Sequence, residues 1–196
     1  MEYFKLTGEI LEKAKDYAPL SVKEKIVNDC ALLCYNVVNI NVSEDNSAEG
    51  ALPPMYAENS SLKARFLMGA FVKEYLGIDF EPCEGTEYLL AQDEYDRYAG
   101  GHIFNQIERL KTAENGKYRD KCFDILQDYK DLEKKFNTEV YNLTKIRNDI
   151  CARLKMILDA SASPERMQDA LKELETLKDE IDKRQAEKEA EATPNE

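Results

Sequence analysis

The chain has 196 residues, of which 43% are hydrophobic and 34% charged, and its net charge at pH 7 is −12. That length suits one domain with an appendage, and so much charge points to long solvated helices rather than a compact sheet protein. No run of eighteen apolar residues occurs, which excludes a membrane-spanning helix. The first residues carry neither a basic n-region nor an apolar h-region, so no signal peptide is expected and the chain is expected in the cytoplasm.

The charge is unevenly placed. Residues 26–96 hold thirteen Asp and Glu against three Lys and Arg, whereas residues 117–160 hold ten bases and eight acids. An acidic half of this kind repels nucleic acid and attracts a basic partner surface.

In chain order, Leu6, Ile10, Leu11 and Ala14 recur at helical spacing and predict a short helix ending before Pro19. Ser21 and Glu24 have the spacing of a capping box. Behind them Ile26, Val27, Cys30, Leu33, Cys34, Val37 and Val38 predict one buried helix face. Residues 41–61 break the periodicity with Asn, Ser, Gly and Pro53-Pro54 and read as a long loop. Ser60 or Ser61 is expected to cap a helix with Leu62, Phe66, Leu67, Ala70 and Phe71 inward, stopping at Gly77. Residues 78–82 read as extended. Val37–Val42 and Ile78–Phe80 have the composition of a small sheet, which an all-α reading leaves unformed.

A further helix is predicted from about Glu87 or Asp93 to Lys111. Gly100-Gly101 interrupts it, at about 1 kcal/mol each against alanine, so close packing or a kink is expected there. From Tyr118 the apolar positions step by three and four through Cys122, Ile125, Tyr129, Leu132, Phe136 and Val140 to Ile157, the pattern of one very long helix of about 60 Å. Ser163-Pro164 restarts a second helix with Met167, Ala170, Leu174, Leu177 and Ile181 on one face, and the short connector favours an antiparallel hairpin. The expected fold is therefore all-α: an acidic helical bundle over residues 1–112 containing loop 41–61, a long coiled-coil-like hairpin over 117–185, and a disordered tail over 186–196.

Residues with chemical potential are few. The five cysteines, Cys30, Cys34, Cys83, Cys122 and Cys151, are odd in number and form no CxxC pair. They read as reduced thiols used as small core residues. Cys30 and Cys34 lie one helical turn apart, but a zinc site needs about four ligands and His102 is the single histidine. Neither Ser-His-Asp nor Cys-His spacing surrounds His102, which reads as structural or superficial. Phosphate-binding glycine loops are absent. Tyr56, Tyr75, Tyr88, Tyr95 and Tyr98 are flanked by acids rather than bases, which suits core or interface anchors better than base stacking. Glu84, Glu87, Asp93, Glu94 and Asp96 form an acidic cluster with three readings: solvated surface, a docking face for a basic partner, or a metal or acid–base site. Among these, docking is the functional expectation; no catalytic residue, metal or cofactor is expected. The bases of the long helix alternate with acids, as in a salt-bridged flank.

Four segments, YFKLTGEILEKAKDYAPL at 3–20, ARFLMGAFVKEYLG at 64–77, EYDRYAGGHIFNQIER at 94–109 and YRDKCFDILQDYK at 118–130, resemble small proteins of gut Firmicutes prophages. In size, acidity and helical make-up the chain is similar to a type II-A anti-CRISPR family found there. The resemblance spans roughly residues 1–160 and contains no catalytic motif. It implies a non-enzymatic activity in a bacterial host cell: binding a guide-loaded type II CRISPR nuclease and blocking target cleavage. The long helix leaves open a second contact to guide RNA or DNA, and a homodimer. The expectation from a different class is a phage structural or assembly protein that oligomerises through its coiled coil.

Overall fold

The computed structural model describes residues 2–38, 55–83, 86–113 and 116–160, together with Lys172 and Thr176. These residues are mostly helical, with one short sheet. They fall into two compact units, residues 1–36 with 57–144, and residues 37–56 with 145–196.

The first unit opens with a strap, residues 3–6, followed by α1 (Gly8–Lys13). Thr7 caps α1 by accepting from the Ile10 amide, and Leu11 and Ala14 are buried as their spacing requires. Next comes α2 (Leu20–Ala31), which corrects two expectations. Ser21 is not its cap: the helix starts one residue earlier behind Pro19, whose carbonyl accepts from the Val22 and Lys23 amides. The helix also ends at Ala31 rather than running on to Val38. Leu32 and Leu33 turn, and Tyr35–Val38 form β1. Val37 and Val38 belong to that strand and are exposed, as their β-branched side chains permit.

The partner of β1 is β2 (Met55–Glu58), not residues 78–80, which lie in no strand. The all-α expectation is corrected to that extent. The predicted loop 41–61 shrinks as well, since 55–58 form a strand and 60–61 a helix; residues 41–54 lie outside the described ones. Asn59, one residue before the expected serines, caps α3 (Ser60–Ala70) by accepting from the Leu62 amide at 3.0 Å. A π-helical turn (Phe71–Tyr75) continues α3, and the chain leaves it through Gly77 at φ 63°. Glycine reaches that left-handed conformation without a Cβ penalty.

The predicted helix to Lys111 is two helices, α4 (Gln92–Gly100) and α5 (Ile103–Thr112), broken at Gly101-His102. The strap explains the double glycine. A Cβ on Gly101 would sit 2.5 Å from the Phe4 carbonyl oxygen, and one on Gly100 would sit 2.3 Å from the Tyr3 ring. Gln106 of α5 then clasps the strap. Its Oε1 accepts from the Leu6 amide at 2.9 Å, and its Nε2 donates to the Phe4 and Gly101 carbonyls at 3.1 and 2.6 Å.

The long helix, α6 (Arg119–Ala160), is continuous for 42 residues. Within the first unit its stripe of Cys122, Ile125, Leu126, Tyr129, Leu132, Phe136 and Val140 is buried, so this compact unit extends past residue 112 to Thr144. The centre of the core is aromatic. Tyr129 meets Phe71, Phe104 and Tyr75 at ring-centroid distances of 4.9, 5.1 and 6.0 Å. Such pairs add about 0.5–1.5 kcal/mol each beyond area burial.

In the second unit, Asn148 of α6 brackets the Tyr56 backbone. It accepts the Tyr56 N–H at 2.7 Å and donates to the Tyr56 carbonyl at 2.9 Å, as a neighbouring strand would. Leu154 and Met156 are exposed. The predicted second hairpin arm and the tail lie outside the described residues, except that Lys172 and Thr176 are helical.

One charged group ties the first unit together. Asp128 of α6 accepts from Lys23 of α2 at 2.5 Å, from the Ala18 amide at 2.9 Å and from the Tyr75 hydroxyl at 2.7 Å. Burial pushes this carboxyl up, but the Lys23, Ala18 and Tyr75 hydrogen bonds and the Lys23 charge outweigh it and hold it below the ordinary carboxylate range. We predict that Asp128→Ala lowers unfolding stability by about 2–4 kcal/mol, because it strands Lys23 and Tyr75. A depressed carboxyl stabilises fully above its unfolded pKa of about 4, and this contribution fades as pH falls through the folded value. In urea titrations the gap between parent and variant should therefore be constant from pH 7 to about 5 and close below about pH 4; a gap that is absent at pH 7 would refute this role.

Candidate partner-binding surface

The acidic cluster lies on α4 and on the irregular stretch before it, of which residues 78–83 and 86–91 are described and form neither helix nor strand. No side chain caps α4, and Asp93 and Glu94 occupy its first turn, where carboxylates are favoured by the unpaired amides. Asp93 and Asp96, three residues apart, are exposed and make no ion pair among the described residues; Asp96 only accepts from Gln92 at 2.9 Å. Asp79 and Glu81, on the irregular stretch, are exposed as well.

The other members of the cluster are placed differently. Glu87 binds Lys25 of α2 and Lys73 of the π-turn, the latter at 2.9 Å. The hydrogen bonds from Lys25 and Lys73 hold its carboxyl below the usual range, so its charge is already spent inside the protein. Glu94 is half-buried, and its Oε2 is enclosed without a hydrogen-bond partner. Burial, followed by the nearby Glu94 charge, pushes the Tyr98 hydroxyl up. Glu84 lies outside the described residues. Of the five acids singled out in the sequence, the structure exposes Asp93 and Asp96 together on α4 and ties the exposed Glu87 to two lysines.

The groups considered for chemistry have settled surroundings. Cys30 and Cys34 are buried and free, and burial pushes each thiol up to about 12. The Cys122 thiol is raised for the same reason. Thiols held protonated in this way are poor nucleophiles and poor metal ligands. His102 sits at the α4–α5 break with φ 51°, the single described non-glycine residue in the left-handed region. Among the described residues no group of three or more His, Cys, Asp or Glu is arranged to hold a metal ion. No described helix is long and apolar enough to cross a membrane.

No protein-family profile, curated protein or solved structure matches this chain.

The thiol environments make a direct prediction. Titration of the folded protein with a disulfide reagent at pH 8 should modify the half-exposed Cys83 and Cys151 first. Cys30, Cys34 and Cys122 should react only on addition of denaturant. Fast labelling of Cys30 or Cys34, located by peptide mass analysis, would contradict the packing of α2.

Proposed function

We propose that the chain is a non-enzymatic inhibitor that binds a guide-loaded, RNA-guided DNA nuclease and blocks its cleavage of DNA. The observation that carries this reading is the pair of exposed carboxylates, Asp93 and Asp96, unneutralised by any described base in a chain of net charge −12. Nucleases of this class read a short duplex motif with arginine side chains and hold nucleic acid in positively charged channels. An acidic helix presented to such a surface competes with phosphate charge. It is also drawn in at long range, because complementary fields raise association rates. Exposed Lys130, Lys134 and Lys135 on α6 would serve a second contact with guide RNA or DNA.

The alternative, a phage structural or assembly protein oligomerising through its coiled coil, is favoured by a different observation. Leu154 and Met156 on the distal part of α6 are 49% and 55% exposed. Apolar side chains left in water on a long helix suit a helix-to-helix contact.

The deciding experiment is target cleavage by guide-loaded type II-A nucleases with and without the protein. Inhibition is expected to be strong near 0.1 M salt and weaker at about 0.5 M, where exposed charges are largely screened. The double variant Asp93→Lys/Asp96→Lys should lose inhibition, whereas Glu87→Gln should keep it. If several such nucleases cleave at undiminished rates, the inhibitor reading fails. An oligomer in sedimentation that Leu154→Glu/Met156→Glu dissociates would then establish the assembly protein.

A further inference from the structure

A cleft of about 240 Å³ opens among α3, α4, α5 and α6, lined mainly by Lys63, Leu67, Tyr95, Phe104, Tyr129 and Glu133, with Asn137 at its edge. Its wall is built by periodicity: Tyr129, Glu133 and Asn137 follow one another at intervals of four on α6 and so share one helix face. Phe104 and Tyr129, stacked at 5.1 Å and 23°, make its aromatic side.

Apart from Lys63, the polar groups of the cleft lack partners. The Tyr95 and Tyr129 hydroxyls and the Glu133 carboxylate make no hydrogen bond or ion pair among the described residues, and Asn137 Oδ1 is enclosed without a partner. Burial, then the Glu133 charge, then Tyr95 push the Tyr129 hydroxyl up. The lining lysine contributes no free positive charge, because Lys63 is paired with Glu58. Buried polar atoms are ordinarily satisfied; here one enclosed acceptor, Asn137 Oδ1, and a carboxylate and two hydroxyls free to take a partner line the same aromatic-walled cleft, which suits a recognition site.

We propose that this cleft receives the guanidinium of an arginine side chain carried by a basic partner protein. A guanidinium is planar, stacks on aromatic faces and carries five donors and no acceptor. It would lie along the Phe104–Tyr129 wall and donate to Glu133 and Asn137 Oδ1, with cation–π attraction from the rings. An anion would meet Glu133 unopposed. The cleft volume is below the roughly 300–1,000 Å³ of pockets for drug-sized ligands and suits a single side chain. Tyr95 shares α4 with Asp93 and Asp96. The choice of a protein-borne cation rests on the reading of the chain as a docking protein for a basic surface.

The test needs no nuclease, so its failure is distinct from a failure of the cleavage assay. N-acetyl-arginine methylamide is titrated into the full chain and followed by tyrosine ring NMR signals. In parallel run the corresponding lysine amide, the uncharged citrulline amide and butylguanidinium, a singly charged guanidinium without a peptide unit. Saturable shifts at Tyr95 and Tyr129 with the arginine amide are expected, with weaker binding of the lysine amide and none of the citrulline amide. Glu133→Gln should weaken binding by roughly tenfold, the value of one hydrogen bond to a charge. Tyr95→Phe should weaken it less, with the melting temperature of both variants as the folding control. Absence of saturation with the arginine amide, equal binding of citrulline, or an unchanged Glu133→Gln variant overturns the proposal. Tighter binding of butylguanidinium than of the arginine amide overturns its assignment to a partner protein.

Discussion

Asp128 is the constraint on which the first unit depends. A carboxylate largely removed from water is costly unless opposite charge and donors surround it. Here these come from three separate places in the chain: the Lys23 ammonium on α2, the Ala18 amide before α2 and the Tyr75 hydroxyl at the end of the π-turn. Satisfying one side chain of α6 therefore fixes the approach of two other elements to it. The apolar stripe from Cys122 to Val140 supplies most of the burial, but apolar contact is tolerant of sliding and rotation. The three hydrogen bonds to Asp128 are directional and set the register in which that stripe packs. The aromatic contacts of Tyr129 with Phe71 and Tyr75 lie one residue further along α6 and inherit that register.

The clasp of the strap works by the same logic with neutral groups. Residues 3–6 have no strand neighbour, yet the Phe4 amide donates to the Arg97 carbonyl at 3.1 Å, and Gln106 satisfies Phe4 and Leu6. This close approach requires a surface without Cβ atoms, which Gly100 and Gly101 provide. In sequence the glycine pair reads as an interruption of a helix, and the compensating contact lies about a hundred residues away, where no local pattern reports it.

Periodicity made the helices legible wherever one face is continuously buried. The stripe of α6, the buried Leu11 of α1 and the Phe66–Phe71 face of α3 and its π-helical continuation appear where their spacing puts them. Periodicity misled where two elements meet without a break in hydrophobicity. Cys30 and Cys34 are both buried and helically spaced, so Leu33, Val37 and Val38 extended the same pattern on paper. In the structure the chain turns at Leu32-Leu33, and the valines pair with Met55–Glu58 instead, a choice set by a distant strand. The capping box failed for a local reason: Pro19 fixes the entry into α2 one residue ahead of Ser21, and a serine inside the first turn has no cap to make.

The acidic cluster shows what composition conceals about a site. Counting carboxylates finds Glu87, Asp93, Glu94 and Asp96 alike, but a count does not know which lysines arrive from elsewhere in the chain. Lys25 and Lys73 take up Glu87, and packing turns Glu94 inward, so two of these four acids keep a free, exposed charge. Tyrosine hydroxyls divide in the same way. That of Tyr75 is spent on Asp128 and that of Tyr88 on Glu74, whereas those of Tyr95 and Tyr129 remain unspent at the mouth and wall of a cleft. The Tyr129–Glu133–Asn137 spacing was visible in the sequence, but its meaning was not. Only the approach of Phe104 and Tyr95 makes three residues on one helix face into a lined recess. An acid or a tyrosine that already has its partner holds the fold together; one left without a partner, and held rigidly so, is available to another molecule.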